Sequence, residues 1–269
     1  MKNYIRKLNL YHSLVFFLLA NIFSIIIDLN KNLVISPIIC FLLILTLGIS
    51  HGSLDHIKGK KLLNIFKINK TFIFYFLYIL FSLVVIIIWL ISPATTLILF
   101  LFVASYHFGK EDTVFSFKKK FLISECLFFL KGSSVIITPL LLQRIETNEI
   151  FRILNFNVFE SSIFSDQFLI LSLCLSFLSS LYLSSHKNAS LKGIMIMDFF
   201  SIIILNLFLS PILAFTLYFC FLHSIRHSIS LIFELDKSFN VGFKKFIYKA
   251  IPLTIVTGIA FLITIFFLN

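Results

Sequence analysis

From residue 14 onward the chain is written in long apolar runs broken by short polar or proline-containing joints. Nine runs come near the roughly 20 residues a helix needs to cross a hydrocarbon core. They are 14–29, 33–50, 72–92, 94–108, 121–142, 167–184, 193–209, 211–233 and 250–268. Those at 94–108 and 193–209 are short, and the breaks ISPA and LSP suit hairpins as well as full loops, so eight spans is the alternative count. No polar stretch reaches the ~50 residues of a separate soluble domain. The pattern predicts an all-α, polytopic transmembrane helical bundle, one membrane domain over residues 1–269.

Composition excludes the soluble alternative: 59% of the 269 residues are hydrophobic and 13% charged, and mean hydropathy is +1.03. Lys2, Arg6 and Lys7 precede the first run as in a signal peptide, but no small-residue cleavage site follows it, so a retained first helix is expected. Cys40, Cys126, Cys174 and Cys220 sit in apolar runs without C-x-x-C spacing and read as small buried hydrophobes.

Charge sets the expected orientation. With the N-terminus in the cytoplasm, Lys58, Lys60, Lys61, Lys67, Lys70, Lys118, Lys119, Lys120, Lys237, Lys244, Lys245 and Lys249 all fall inside, while Lys31, Arg144 and Arg152 fall outside. The acidic Glu146, Glu149, Glu160 and Asp166 then also face out. The net charge of +11 is thus accounted for by topology and the inner leaflet of a lipid bilayer, with no nucleic acid required. The expected location is a multi-pass position in a bacterial cytoplasmic membrane.

Of seven histidines, His12 and His186 stand alone and read as solvated interfacial residues. The other five form three groups at the expected cytoplasmic ends of the second, fourth and eighth runs: His51 and His56 in HGSLDH, His107 in SYHFGKED, His223 and His227 in FLHSIRH. Polar side chains at such depth usually face a bundle interior. His223 and His227, four apart, share a helix face, a spacing suited to two ligands of one metal. Asp55 is four after His51 and Glu111 four after His107, each one turn from an imidazole whose distal N–H it could accept. His56 points away on a continuous helix unless Gly52 ends it, and reads as standing behind the ligands or facing substrate.

A haem would leave most of these histidines idle, and no C-x-x-C-H is present. H-x-x-H-H boxes of the membrane di-iron enzymes are absent too, so a single non-haem metal fits the count. Among the remaining charges, Lys131 is expected to snorkel or to mark a helix break at Gly132, with Glu125 as its alternative partner. Asp198 reads as interfacial, Asp112 as a solvated charge beside lysines, and Arg226 as a partner of Asp55, Glu111 or lipid phosphate.

HGSLDH, SYHFGKED and PILAFTLYFCFLHSIRH, in this order and separation, resemble the three signature segments of the bacteriorhodopsin-related-protein (Brp/Blh) family of membrane β-carotene 15,15′-dioxygenases. KGSSVIITPLL resembles a further family helix. The resemblance implies cleavage of the central double bond of all-trans-β-carotene by O2, giving two all-trans-retinal. It also implies a non-haem Fe(II) held by His51, His107, His223 and His227, with His56 in the motif, and a retinal-accepting rhodopsin as a possible partner. Tyr106 and Tyr218 flank motif positions and are candidates to line a substrate tunnel or simply to pack.

If the histidines lie toward one membrane face, a polyene as long as the hydrocarbon core is thick cannot stand along the membrane normal with its central bond at the metal. A tilted or in-plane tunnel in the inner leaflet is then expected. The competing readings are another membrane non-haem iron oxygenase, acting on a different carotenoid bond or hydroxylating a lipid, and a metal-ion transporter. A transporter needs polar residues along a whole pathway, and the outer halves of the histidine-bearing runs are almost purely apolar.

Overall fold

The protein is described from a computed structural model that covers residues 2–30, 35–48, 54–68, 70–113, 122–153, 165–184 and 189–268. His51, Gly52, His186, Lys31, Lys118, Lys119, Lys120 and Glu160 lie outside the described residues.

The described residues form helices joined by short connections. In order these are α1 (Lys2–Leu29), α2 (Pro37–Leu43), α3 (Asp55–Ile65), α4 (Thr71–Ile91), α5 (Pro93–Glu111), α6 (Leu122–Leu142), α7 (Arg144–Ile153), α8 (Asp166–Ser184), α9 (Ala189–Phe208), α10 (Pro211–Leu217), α11 (Ile225–Leu235) and α12 (Phe239–Leu268). Two π-helical turns are built in: Ile44–Gly48 continues α2, and Tyr218–Ser224 joins α10 to α11 as one continuous helix. Local sequence explains the starts. Ser36 caps α2 by accepting the N–H of Ile38 at 3.3 Å, and Pro37, Pro93 and Pro211 occupy first-turn positions where no N–H is needed.

Among the described residues, seven helices are long and apolar enough to cross a membrane: Tyr4–Leu29, Thr71–Ile91, Leu122–Leu142, Asp166–Ser184, Leu191–Phe208, Pro211–Leu235 and Phe239–Ile263. The run at 33–50 forms only the shorter apolar helix Pro37–Gly48, and the run at 94–108 lengthens into α5, which ends on Lys110 and Glu111. α4 buries no residue at all, as suits a helix that faces lipid on nearly every side. Cys40 and Cys220 are buried, but Cys126 and Cys174 are exposed on α6 and α8. Lipid-facing helix surfaces accept a small thiol without burying it, which corrects the expectation for those two.

Small residues set the inner packing. α5 and α6 cross with Gly109 against Phe128 and Gly132, close enough that a Cβ on either glycine would strike backbone. α8 lays Ser176, Ser179 and Ser180 against α6, and Ser176 donates to the Lys131 carbonyl at 3.0 Å. α1 presents Asn9, Ser13, Ala20 and Ser24 inward. A cluster including Phe108, Leu205, Ala214, Tyr218 and Leu222 then fills the space where α5, α9 and the α10–α11 helix meet.

Candidate metal centre

The α10–α11 helix turns Thr216, Tyr218, His223, Ser224, Arg226 and His227 inward. His223 stands midway along Pro211–Leu235, in the π-helical turn, rather than at a helix end as the apolar run had suggested. The apolar sequence resumes after His227, and Ile229, Leu231, Ile232 and Phe233 are buried, so the helix continues beyond the histidines. His223 is fully buried and His227 nearly so. Their rings are almost parallel, 11° apart in plane, with centroids 6.4 Å apart.

α5 supplies the facing side. The His107 ring lies 5.2 Å from His223, inclined at 64°. Two imidazoles on one metal ion, at about 2.1 Å per bond, hold their centroids roughly 5–6 Å apart. The His107–His223 pair fits that range and His223–His227 lies just beyond it.

The carboxylates partition differently from the helical spacing. Glu111 accepts from Nδ1 of His227 at 2.9 Å, not from His107 one turn before it. Asp112, expected as a solvated charge, is buried and accepts from Nδ1 of His223 at 2.9 Å. Tyr218 donates to the other Asp112 oxygen at 2.8 Å. The reason is geometric: α5 faces the α10–α11 helix, so its last turn reaches across to that helix's imidazoles.

Those bonds decide the imidazole tautomers. With Nδ1–H committed to a carboxylate, Nε2 of His223 and His227 keeps its lone pair, which is the form a metal takes, and the carboxylate fixes the ring and raises its basicity. Lys58 Nζ lies 3.4 Å from His227 Nε2, a cationic donor on that lone pair, and 3.8 Å from Glu111. Among the described residues no group of three His, Cys, Asp or Glu side chains is close enough to hold a metal ion. The donor chemistry nevertheless suits a cation: neutral imidazoles in front, anionic carboxylates behind.

The histidines also meet aromatic rings. Phe108 packs edge-on to His223 at 4.9 Å, and Phe219 stacks on it at 5.7 Å and 16°. Phe215 stacks on Phe219 at 5.5 Å and reaches the exposed surface of the bundle. The Phe219 ring lies directly over Gly48, where a Cβ would overlap it.

Other expected site residues fall elsewhere. Asp55 and His56 open α3 and are half-buried; burial pushes the Asp55 carboxyl above the usual carboxylate range, against the pull of Lys58. Tyr106 turns away from the histidines into a cluster with Lys110 and Glu125, donating to the latter. Glu125 is thereby taken, and Lys131 is instead buried inside an unbroken α6, which corrects both of its expected roles.

Arg226 pairs with none of its expected partners. It forms a buried, two-pronged ion pair with Asp198 at 2.6 and 3.0 Å and donates to Ser13 at 2.7 Å, tying α11 to α9 and α1. Asp198 is therefore interior, not interfacial. His12 is half-buried and bonds the Phe221 carbonyl at 2.8 Å, inside the π-helical turn. Asp198 and Arg226 could have been matched from sequence, since each is a full charge inside an apolar run and such charges require partners.

A family model described as beta-carotene 15,15′-dioxygenase matches residues 42–269. The chain belongs to this family. The match runs from the end of α2 to the C-terminus and so takes in all three histidine groups of the dioxygenase-family chain. A β-carotene 15,15′-dioxygenase from an uncultured marine bacterium, 66A03, is 29% identical over 191 residues, 69% of this chain. That match spans 66% of the relative, just under two thirds of its length. No solved structure matches this member of the family.

Proposed function

We propose that the chain cleaves all-trans-β-carotene at its central 15,15′ double bond with O2, one oxygen atom ending on each of two all-trans-retinal molecules. The observation that carries this is the approach of His107 on α5 to His223 and His227 on the facing α10–α11 helix, two of the three backed by carboxylates, at the inner end of a file of aromatic rings. Family membership supplies the substrate class.

The ligand set would be His107, His223 and His227 with His51. Four neutral imidazoles suit Fe(II) and leave coordination positions open. Bound there, the ion would supply the activation of O2. Everything else falls to the protein. Asp112 and Glu111 hold two imidazoles in orientation and tautomer. Phe108 and Phe219 surround the His223 imidazole with apolar rings, the surroundings a conjugated hydrocarbon chain would require. Surrounding apolar packing excludes water. No proton need be added or removed, since one C=C becomes two C=O.

Phe215, Phe219 and His223 mark a sideways approach from the lipid, consistent with a polyene lying across the bundle rather than along it. A bacterial cytoplasmic membrane with the N-terminus inside is part of the same proposal.

Expression in β-carotene-accumulating bacteria tests it. Bleaching with retinal as the sole carotenoid product is expected, and His223→Ala should abolish it while leaving membrane insertion intact. Apocarotenals of unequal length would move the cleavage site. No bleaching, together with metal uptake, would replace the enzyme with a transporter.

A further inference from the structure

Behind the histidine wall lies a second polar site that the cleavage reaction does not use. Lys131, in the middle of α6, is 7% exposed, and its backbone is pinned by Ser134 and Ser176, which donate to its carbonyl at 2.8 and 3.0 Å. Its side chain lines a cavity of ≈ 10 Å3 together with Asp112, Ser134, Ser180, Asp198 and Tyr218. That volume accommodates one water, and the polar groups around it give such a water several partners.

Two carboxylates line this pocket, and Arg226 reaches both residues, donating to the Asp198 carboxylate and, at 3.5 Å, to the Asp112 backbone carbonyl. Asp198 is engaged by Arg226 through two hydrogen bonds. Asp112 receives hydrogen bonds from the neutral Tyr218 and from His223, so its negative charge needs a counter-charge. Lys131 lines the same cavity. A buried lysine with no carboxylate in direct contact is costly unless a bridge completes it.

We propose that Lys131 is a positioning residue: through a water held in this cavity it balances the Asp112 carboxylate, and so fixes the orientation of the His223 imidazole. Apart from Glu125 in its first turn, α6 is made of apolar and small residues, and its lysine is then explained by a ring two contacts away. Gly132 brings this about, because only without a Cβ can α6 approach Ser105 and Gly109 of α5 closely enough to place Lys131 near Asp112.

The test uses full-length protein in detergent and the variants Lys131→Met, Lys131→Gln, Asp112→Asn and the double variant Lys131→Met/Asp112→Asn. The first readout needs no metal. In protein labelled with 15N-histidine, wild-type His223 should show one tautomer with the proton on Nδ1. Lys131→Met should split or shift that signal, and Lys131→Gln, which still donates to a water, should fall between. The second readout is affinity for Co(II) alone, in competition with a coloured chelator. Lys131→Met should weaken it roughly tenfold or more, as for other residues that orient metal-bound histidines. The double variant should bind no more weakly than Asp112→Asn, because the lysine acts through the carboxylate.

An unchanged His223 signal in Lys131→Met overturns the proposal, as do additive losses in the double variant. Should Lys131→Met not fold, a wild-type signal in Lys131→Gln overturns it equally. The cobalt measurement rests on the metal reading above: a wild type that binds no Co(II) defeats that reading, while the 15N signals still decide the role of Lys131.

Discussion

Gly109 and Gly132 meet where α5 crosses α6: a Cβ on Gly109 would stand 2.8 Å from the Gly132 backbone nitrogen, and one on Gly132 would strike the Ser105 carbonyl. The contact holds the last turn of α5, with His107, Glu111 and Asp112, at a fixed distance from α6. Gly132→Ala is expected to push the helices apart, at the cost of about 1–3 kcal/mol typical of overpacking. Thermal melting in detergent should show the loss, and retinal formation should fall with it. A variant of unchanged Tm and activity would mean the crossing is loose.

Glu111→Gln tests the carboxylate behind His227. The amide can still accept a hydrogen bond but carries no charge to raise the imidazole's basicity or to hold Lys58. Metal retained after dialysis against a chelator should drop about 10–100-fold in affinity terms. Melting temperature without metal should change little. Full retention would show that Glu111 serves only packing.

The Arg226–Asp198 pair should behave as a buried charge does when orphaned. Arg226→Met alone is expected to destabilise by about 3–5 kcal/mol, because it leaves Asp198 uncompensated among α1, α9 and α11. Arg226→Met combined with Asp198→Leu should recover most of that, since replacing both partners by apolar groups is often neutral. Expression level and melting temperature of the two variants beside the wild type measure it. A double variant as unstable as the single would make the arginine's bulk, not its charge, the important property.

Asp55 gives a pH dependence of opposite sign to an ordinary paired carboxylate. Its pKa is raised mainly by burial, so the folded protein holds that proton more tightly than the unfolded chain does. Ionised Asp55 therefore costs stability at neutral pH, and the cost fades as pH falls through its raised value. Asp55→Asn should raise Tm at pH 7, and the gain should shrink as the pH approaches the ordinary carboxylate range near ~4. A gain independent of pH would locate its cause elsewhere.

The apolar runs carry the helical architecture plainly, because a spanning helix must be apolar along its whole length. What they conceal is which helix faces which. Spacing along α5 suggests Glu111 for His107, yet the carboxylates serve imidazoles on a different helix, and pairing across helices leaves no trace in local spacing. The same limit hid Asp112, which follows an apolar helix and precedes lysines like any solvated loop residue. Lys131 misled for a different reason: Gly132 beside it looks like a helix break, but in a membrane bundle glycine more often marks where two backbones touch. The α10–α11 histidines were legible because their four-residue spacing is internal to one helix.

The π-helical turn at Tyr218–Ser224 has a mechanical consequence. It inserts its extra residue between the lipid-exposed Phe215 and the inward His227. The turn takes up its extra residue locally, so deleting one residue there would restore a plain α-helix with the segments on either side in nearly their present phase. The widened turn thus keeps in phase the half of the helix that answers to the bilayer and the half that answers to chemistry. Its neighbour at Ile44–Gly48, pressed against it through Gly48 and Phe219, lies just before His51 in the sequence. Single-residue insertions and deletions, normally ruinous inside a membrane helix, are here the natural means by which such a fold could retune its site.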